Sequence, residues 1–314
     1  MLKRIILASP RGYCAGVERA ISSVENAILK FKKQVYVLNE IVHNEHVIKI
    51  LSENGARFVN SLSDVPKGSV IILSAHGVSP KIRDDAFARG LSVIDATCPF
   101  VSRLHSDARE YSRKGFSIIL IGYSEHAEAE GLKGEAPMAV IENISDAEKI
   151  VLHKKNIACL VQTTFSVEER DKILSFLKKR FPNLEVPSSG ICCATENRQN
   201  AVKALSKKCD AVIIVGSKKS SNSMRLFETA KGCCSHVFLV GDEKEIKKIM
   251  KMPWFWKINS LGISSGASTP EKIVQKIVAY IVSCAEKRNG KSPSLENLES
   301  ASENISFPLP SPFT

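Results

Sequence analysis

Short apolar runs recur along the chain, and most end in small or polar residues. They are Arg4–Ala8, Gln34–Leu38, Ser69–Leu73, Leu91–Ile94, Phe116–Ile121, Ala139–Ile141, Ile157–Val161, Ala211–Val215, His236–Val240 and Leu261–Ile263. Several are apolar throughout rather than alternating, the pattern of strands buried on both faces of a parallel sheet. Between them the apolar period lengthens to three and four. Val17, Ala20, Ile21, Val24, Ala27, Ile28 and Phe31 form one helical stripe. Val47, Ile48, Ile50 and Leu51 mark a second helix, stopped by Asn54-Gly55. Ile173, Leu174, Phe176 and Leu177 mark another, and Ile273, Val274, Ile277, Val278 and Ile281 the last. Strand–helix alternation of this kind predicts an α/β fold with parallel sheets.

Three cysteines stand at comparable places in this pattern. Cys14 precedes the first helix, Cys98-Pro99 opens another, and Cys192 lies in Gly190-Ile-Cys-Cys-Ala-Thr195. They are 84 and 94 residues apart, which suggests one thiol from each of three similar lobes. The expected lobes are 15–97, 98–190 and 191–286, the last joined by an N-terminal strand, 1–14. Past Glu286 the chain turns polar and Ser/Pro-containing, and residues 287–314 read as a weakly ordered tail.

Composition narrows the class. At 314 residues, 44% apolar and 25% charged, the chain has the make-up of a soluble globular protein. No apolar stretch nears the ~18–20 residues of a membrane span, and the run after Lys3-Arg4 is too short for a signal peptide. A cytoplasmic, reducing compartment is expected, in which the nine cysteines are not disulfides. Cys159, Cys209 and Cys284 then read as small buried apolar residues. The net charge of +11 is spread over helical faces, and aromatic residues for stacking on bases are few. Such a surface equally suits an acidic protein partner or an anionic substrate, and charge alone does not decide.

In parallel α/β folds ligands bind at the carboxyl ends of strands. Those positions hold Asn39-Glu-Ile-Val-His43-Asn44, Ser74-Ala-His-Gly77, Gly122-Tyr-Ser-Glu-His-Ala-Glu-Ala-Glu-Gly131 and Gln162-Thr-Thr164. Gly216-Ser-Lys-Lys-Ser-Ser-Asn-Ser223 and Ser264-Ser-Gly-Ala-Ser268 follow later strands. Histidines, hydroxyls, amides and helix N-termini are what a buried diphosphate requires. Neither a Gly-x-x-x-x-Gly-Lys-Ser/Thr loop nor a Gly-x-Gly-x-x-Gly fingerprint occurs. Among the loop acids, Glu125 and Glu130 read as solvated. Glu128 reads either as solvated or as a proton donor facing a site.

Together these motifs resemble the 4-hydroxy-3-methylbut-2-enyl diphosphate reductases of the non-mevalonate isoprenoid pathway. The resemblance runs from about residue 3 to 284. It rests on Pro10-Arg-Gly-Tyr-Cys-Ala-Gly-Val17, Val42-His-Asn44, Ser74-Ala-His-Gly-Val78, Asp95-Ala-Thr-Cys-Pro99, Gln162-Thr-Thr164, Thr195-Glu-Asn-Arg-Gln199, the 216–223 loop and Gly266-Ala-Ser268. It implies three similar parallel-sheet α/β lobes in pseudo-threefold arrangement around a central [4Fe–4S] cluster, held by Cys14, Cys98 and Cys192. It further implies a diphosphate gripped by His43, His76, His126, Ser220, Ser221, Asn222 and Ser268, with Thr163 and Glu128 beside the allylic hydroxyl. The implied activity is an oxidoreductase's: reductive dehydroxylation to isopentenyl and dimethylallyl diphosphate, with electrons from ferredoxin or flavodoxin. No nucleic-acid or membrane partner is implied. Tyr123 and Ala127 stand where this family commonly has His and Pro, and Cys193 is an additional thiol beside Cys192. The rival expectation is a metal-free transferase or hydrolase acting on a diphosphate at the same loops.

Overall fold

In the computed structural model, residues 1–152 and 156–313 are described. Strand β1 (Arg4–Ser9) leads into helix α1 (Ala15–Phe31). Next come β2 (Val35–Leu38), α2 (Glu45–Glu53), β3 (Ala56–Val59), β4 (Val70–Leu73), α3 (Pro80–Ala88) and β5 (Ser92–Asp95). Strands β2 to β5 form one sheet, in the order β3-β2-β4-β5. The chain continues through α4 (Pro99–Arg113), β6 (Ser117–Ile121), α5 (Ala127–Lys133), β7 (Met138–Ile141), α6 (Ile144–Lys149), β8 (Ile157–Val161), α7 (Val167–Arg180) and β9 (Leu184–Glu185). Its four strands make a second sheet, β7-β6-β8-β9. Last come α8 (Cys193–Ser206), β10 (Ala211–Val215), α9 (Ser221–Lys231), β11 (Val237–Val240), α10 (Glu243–Met250), β12 (Ser260–Ser265), α11 (Glu271–Asn289) and β13 (Ser294–Glu299). These strands take up β1 in a five-stranded sheet, β11-β10-β12-β1-β13. Every pairing in the three sheets is parallel.

The uniformly apolar runs follow from burial on both faces. In β10, Ala211, Ile213 and Val215 pack with Ile246 of α10 and Val274, Ile277 and Ile281 of α11. Val212 and Ile214 point the other way, onto Ala201, Val202 and Leu205 of α8 and Leu226 of α9. Strand β6 divides alike: Ile119 and Ile121 pack with Ile173 and Leu177 of α7, Ile118 and Leu120 with Leu104 of α4 and Leu132 of α5. Each fully buried Val, Leu or Ile among these contributes about 1.5–3 kcal/mol.

The chain divides into two compact units. One comprises Met1–Cys14, His43–Glu45 and Cys193–Ile305, and holds the five-stranded sheet. The other, with both four-stranded sheets, comprises Ala15–Val42, His46–Cys192 and the chain from Ser306 onward. The C-terminal segment differs from expectation. Residues 287–314, expected to be weakly ordered, contain the end of α11 and strand β13, which pairs with β1 from Arg4↔Ser294 to Ser9↔Glu299. Backbone hydrogen bonds to an available sheet edge hold β13, whose side chains are mostly exposed. Among the described residues, no helix is long and apolar enough to cross a membrane.

Candidate functional site

In the second unit, Glu128 sits in the first turn of α5, just beyond β6, and is 1% exposed. Both its oxygens are engaged by one residue: the Thr163 N–H donates to Oε1 at 2.8 Å and the Thr163 hydroxyl to Oε2 at 2.8 Å. Burial raises its pKa from 4.5 to about 7, and the two Thr163 hydrogen bonds oppose the rise without cancelling it. Its neighbours Glu125 and Glu130 are exposed, as expected. Thr163, just past β8, accepts at its carbonyl from the Cys192 N–H at 3.1 Å. One residue thus joins the buried acid to the backbone of a candidate ligand cysteine.

The loops of His76 and His126 lie in the same unit. His126 caps α5, its Nδ1 accepting from the Glu128 N–H at 3.2 Å. The rings of His76 and His126 meet edge to face at 5.7 Å. The Cys98 N–H donates to the Ala75 carbonyl at 3.0 Å, so Cys98 is anchored beside His76. Tyr123 packs its ring on Phe165 at 5.1 Å, while its N–H donates to Gln162 Oε1 at 2.9 Å. Sequence reading does not single out His105, buried in α4 beneath these loops. A Cβ on Gly77 would lie 2.8 Å from its Nε2, and one on Gly131 3.1 Å from its Cε1. Burial lowers the His105 pKa, against the Glu135 carboxylate 2.8 Å from Nδ1. The signal was available: a histidine among the apolar positions of a helix, opposite glycine loops.

The first unit holds the other predicted polar residues. Ser220 caps α9, its Oγ accepting from the Ser223 N–H at 3.3 Å, and Ser221 opens the helix. Asn222 is 4% exposed, and its Oδ1 accepts from the Ala267 N–H at 2.9 Å. Asn222 Nδ2, Ser223 Oγ and Ser264 Oγ are buried with no hydrogen-bond partner among the described residues. Ser223 fits only because residues 216 and 266 are glycines, since a Cβ on either would collide with its side chain. The Ser268 hydroxyl donates to the His43 carbonyl at 3.4 Å, and the Cys14 N–H to the Ala267 carbonyl at 3.2 Å. Unused donors at a helix N-terminus are what an anion rich in acceptor oxygens requires.

Cys14, Cys98 and Cys192 each stand immediately before a helix, α1, α4 and α8, and each is half-buried. Cys159 is wholly enclosed, and burial pushes its thiol up to about 12, which suits the inert role expected of it. Cys209 is half-buried and likewise pushed up to about 12, chiefly by burial. Among the described residues, no close group of three His, Cys, Asp or Glu side chains stands ready for a metal ion. Cys14 belongs to one unit, Cys98 and Cys192 to the other. Each of these three half-buried thiols at a helix start is a ligand of the softness that iron–sulfur chemistry takes. Gly16 supports this locally. A Cβ there would lie 2.5 Å from Cys98 Sγ, so only glycine leaves that sulfur its place.

Residues 5–282 match the family model described as LytB protein. The chain is 42% identical over 314 residues to 4-hydroxy-3-methylbut-2-enyl diphosphate reductase of Shigella flexneri serotype 5b, covering 98% of this chain and 96% of that protein. It is 44% identical over 281 residues to the protein of that name from Rhodococcus opacus, covering 88% and 82%. The solved E-1-hydroxy-2-methyl-but-2-enyl-4-diphosphate reductase from Plasmodium falciparum superposes with a TM-score of 0.92 at 37% identity, covering 100% of this chain and 97% of that one. A second solved structure, of (E)-4-hydroxy-3-methyl-but-2-enyl diphosphate reductase, gives 0.65 at 29% identity over 89% and 99%. With a match that takes in strands of all three sheets and every polar group described above, the chain belongs to the LytB family and is an oxidoreductase.

Proposed function

We propose that this protein carries out the last step of the non-mevalonate isoprenoid pathway. It converts 4-hydroxy-3-methylbut-2-enyl diphosphate to isopentenyl and dimethylallyl diphosphate, with a [4Fe–4S] cluster on Cys14, Cys98 and Cys192. The names of its relatives support the substrate. The observation that carries the chemistry is Glu128, a buried carboxyl with a pKa of about 7, held at both oxygens by Thr163. The reaction consumes two electrons and two protons, breaks the C–O bond, and forms a C–H bond and water. When bound, the cluster supplies the electrons and a Lewis-acidic iron for the substrate hydroxyl. Glu128 supplies a proton to the leaving oxygen, since hydroxide departs poorly and water well. The Thr163 hydroxyl relays that proton or fixes the carboxyl's direction. An allylic carbanion can be protonated at either end, which accounts for two isomeric products.

The diphosphate is not cleaved. His43, His76, His126, Ser220, Ser221, Asn222 and Ser268 bind it as a handle, spending its binding energy on placing the far end. The unpartnered Asn222 Nδ2 supports this assignment. Electrons come from an acidic donor of ferredoxin or flavodoxin type, which the +11 charge suits. The setting is cytoplasmic.

Protein purified without oxygen, after expression with cluster-assembly support, tests the reading by visible and Mössbauer spectra before and after the allylic diphosphate is added. We expect a [4Fe–4S] signature with one iron site altered by substrate. Cys192→Ser should lose the cluster and Cys193→Ser keep it. Colourless wild-type protein that still binds diphosphates would instead indicate the metal-free transferase or hydrolase.

A further inference from the structure

Among the described residues Arg198, on α8, is the largest fully buried side chain. A guanidinium taken out of water is costly unless its hydrogens are met by acceptors and its charge by a carboxylate. Here Nη2 donates to the carbonyls of Gly12 at 3.0 Å and Tyr13 at 3.3 Å. Nη1 donates to the Ala194 carbonyl at 3.0 Å and to both oxygens of Glu303, at 2.7 and 2.8 Å. Asn197 Nδ2 adds a donor to Glu303 Oε1 at 3.4 Å. Glu303 lies beyond β13, in the segment that sequence reading assigns no role.

The two carbonyls that Arg198 takes belong to the residues directly before Cys14. Other ties on that stretch include the Gly12 N–H, which donates to Ser265 Oγ at 2.8 Å, the Cys14 N–H, which donates to the Ala267 carbonyl, and, just before it, Arg11, paired with Glu271 at 2.8 Å. Gly12 is left-handed, at φ 75°, so no regular structure fixes the stretch. Without Glu303, Arg198 would be a buried cation facing only carbonyls, and it would swing toward water and release them.

We infer that Arg198 and Glu303 are positioning residues for Cys14, so that the C-terminal segment completes the loop carrying this thiol. The inference rests on Cys14 being a cluster ligand only for its catalytic meaning; the positioning can be measured without a cluster. Arg198 variants are a poor test, because an unfilled core site may prevent folding. The variants are therefore Glu303→Ala and Glu303→Gln in the full chain. In cluster-free protein, pulsed iodoacetamide labelling is read at each cysteine by mass spectrometry. Cys14 labelling should rise about tenfold in Glu303→Ala, as loss of a charged hydrogen bond implies, and less in Glu303→Gln. Cys159, wholly buried, reports global opening and should not change. Unchanged Cys14 labelling, or a rise in step with Cys159, would overturn the inference. In loaded protein, Glu303→Ala should shift the electron paramagnetic resonance spectrum of the reduced cluster, and an unchanged spectrum would remove the link to the cluster. Wild-type protein that takes up no iron would defeat the cluster reading alone, leaving the labelling result to stand by itself.

Discussion

The Glu128–Thr163 pair and the Asn222–Ser223–Ser264 group are both buried polar regions, and they differ in what is left over. At Glu128, each carboxyl oxygen meets a donor, and burial alone has moved the proton affinity into the neutral range. Around Asn222 the hydrogen-bond count does not close: one amide and two hydroxyls lack partners among the described residues. A buried unsatisfied polar group costs about 1–3 kcal/mol, so a fold retains several together only where something else completes them. On the proposed function, the first region is complete in the protein alone and holds a proton, and the second is completed by the substrate's diphosphate.

The sharpest way to break this contrast is Glu128→Gln. The amide keeps the shape and can still meet Thr163, but it has no proton to transfer at neutral pH. Turnover should fall roughly 10²–10⁴-fold with KM little changed, measured with an artificial reductant. A rise in KM alone would move Glu128 from the proton-donating group to the binding group. A smaller effect belongs to Asn222→Asp. The change retains the oxygen that accepts from Ala267 and turns the unpartnered donor into a further acceptor. Affinity for the diphosphate should drop about 10²-fold through like-charge repulsion and the lost donor, while the folded state and iron content stay as in the parent. Unaltered affinity, measured by calorimetry, would mean that the surplus donors face something other than the anion.

The two regions were unequally legible in the sequence. All ten apolar runs hold strands, and in most of them side chains buried on both faces leave a run that needs no partner to be recognised. Strand β3 was missed because Arg57 breaks its run, and β13 because backbone pairing rather than apolar burial holds it. The loop Ser220-Ser-Asn-Ser223 announces itself as a run of donors after a strand. Glu128 does so less: its place two residues past His126 leaves it open as a proton donor or a solvated acid, and only the resemblance to known reductases decides between them. What buries Glu128 and holds its carboxyl is the packing around Thr163, 35 residues further on, and no local pattern encodes that. Arg198 and Glu303 are harder still, being 105 residues apart with one of them in a segment read as a loose tail.

The smallest effect is also the most direct measure of how complete the Glu128 region is. Its pKa is raised on folding, from 4.5 to about 7, because burial disfavours the carboxylate. Between those values the folded chain binds more protons than the unfolded one, so its stability falls as pH rises. The contribution is full below 4.5 and lost as pH passes about 7. Glu128→Gln removes the titration. Its stability relative to the parent should therefore improve with rising pH, by about 1–3 kcal/mol between pH 4.5 and 8, as read by urea unfolding at each pH. A parallel pair of curves would show that Thr163's two donors hold the carboxylate as well in the fold as water does outside it. Glu128 would then be an ordinary ionised acid at neutral pH, and the proton for the leaving oxygen would have to come from a histidine, His126 being the nearest in the chain.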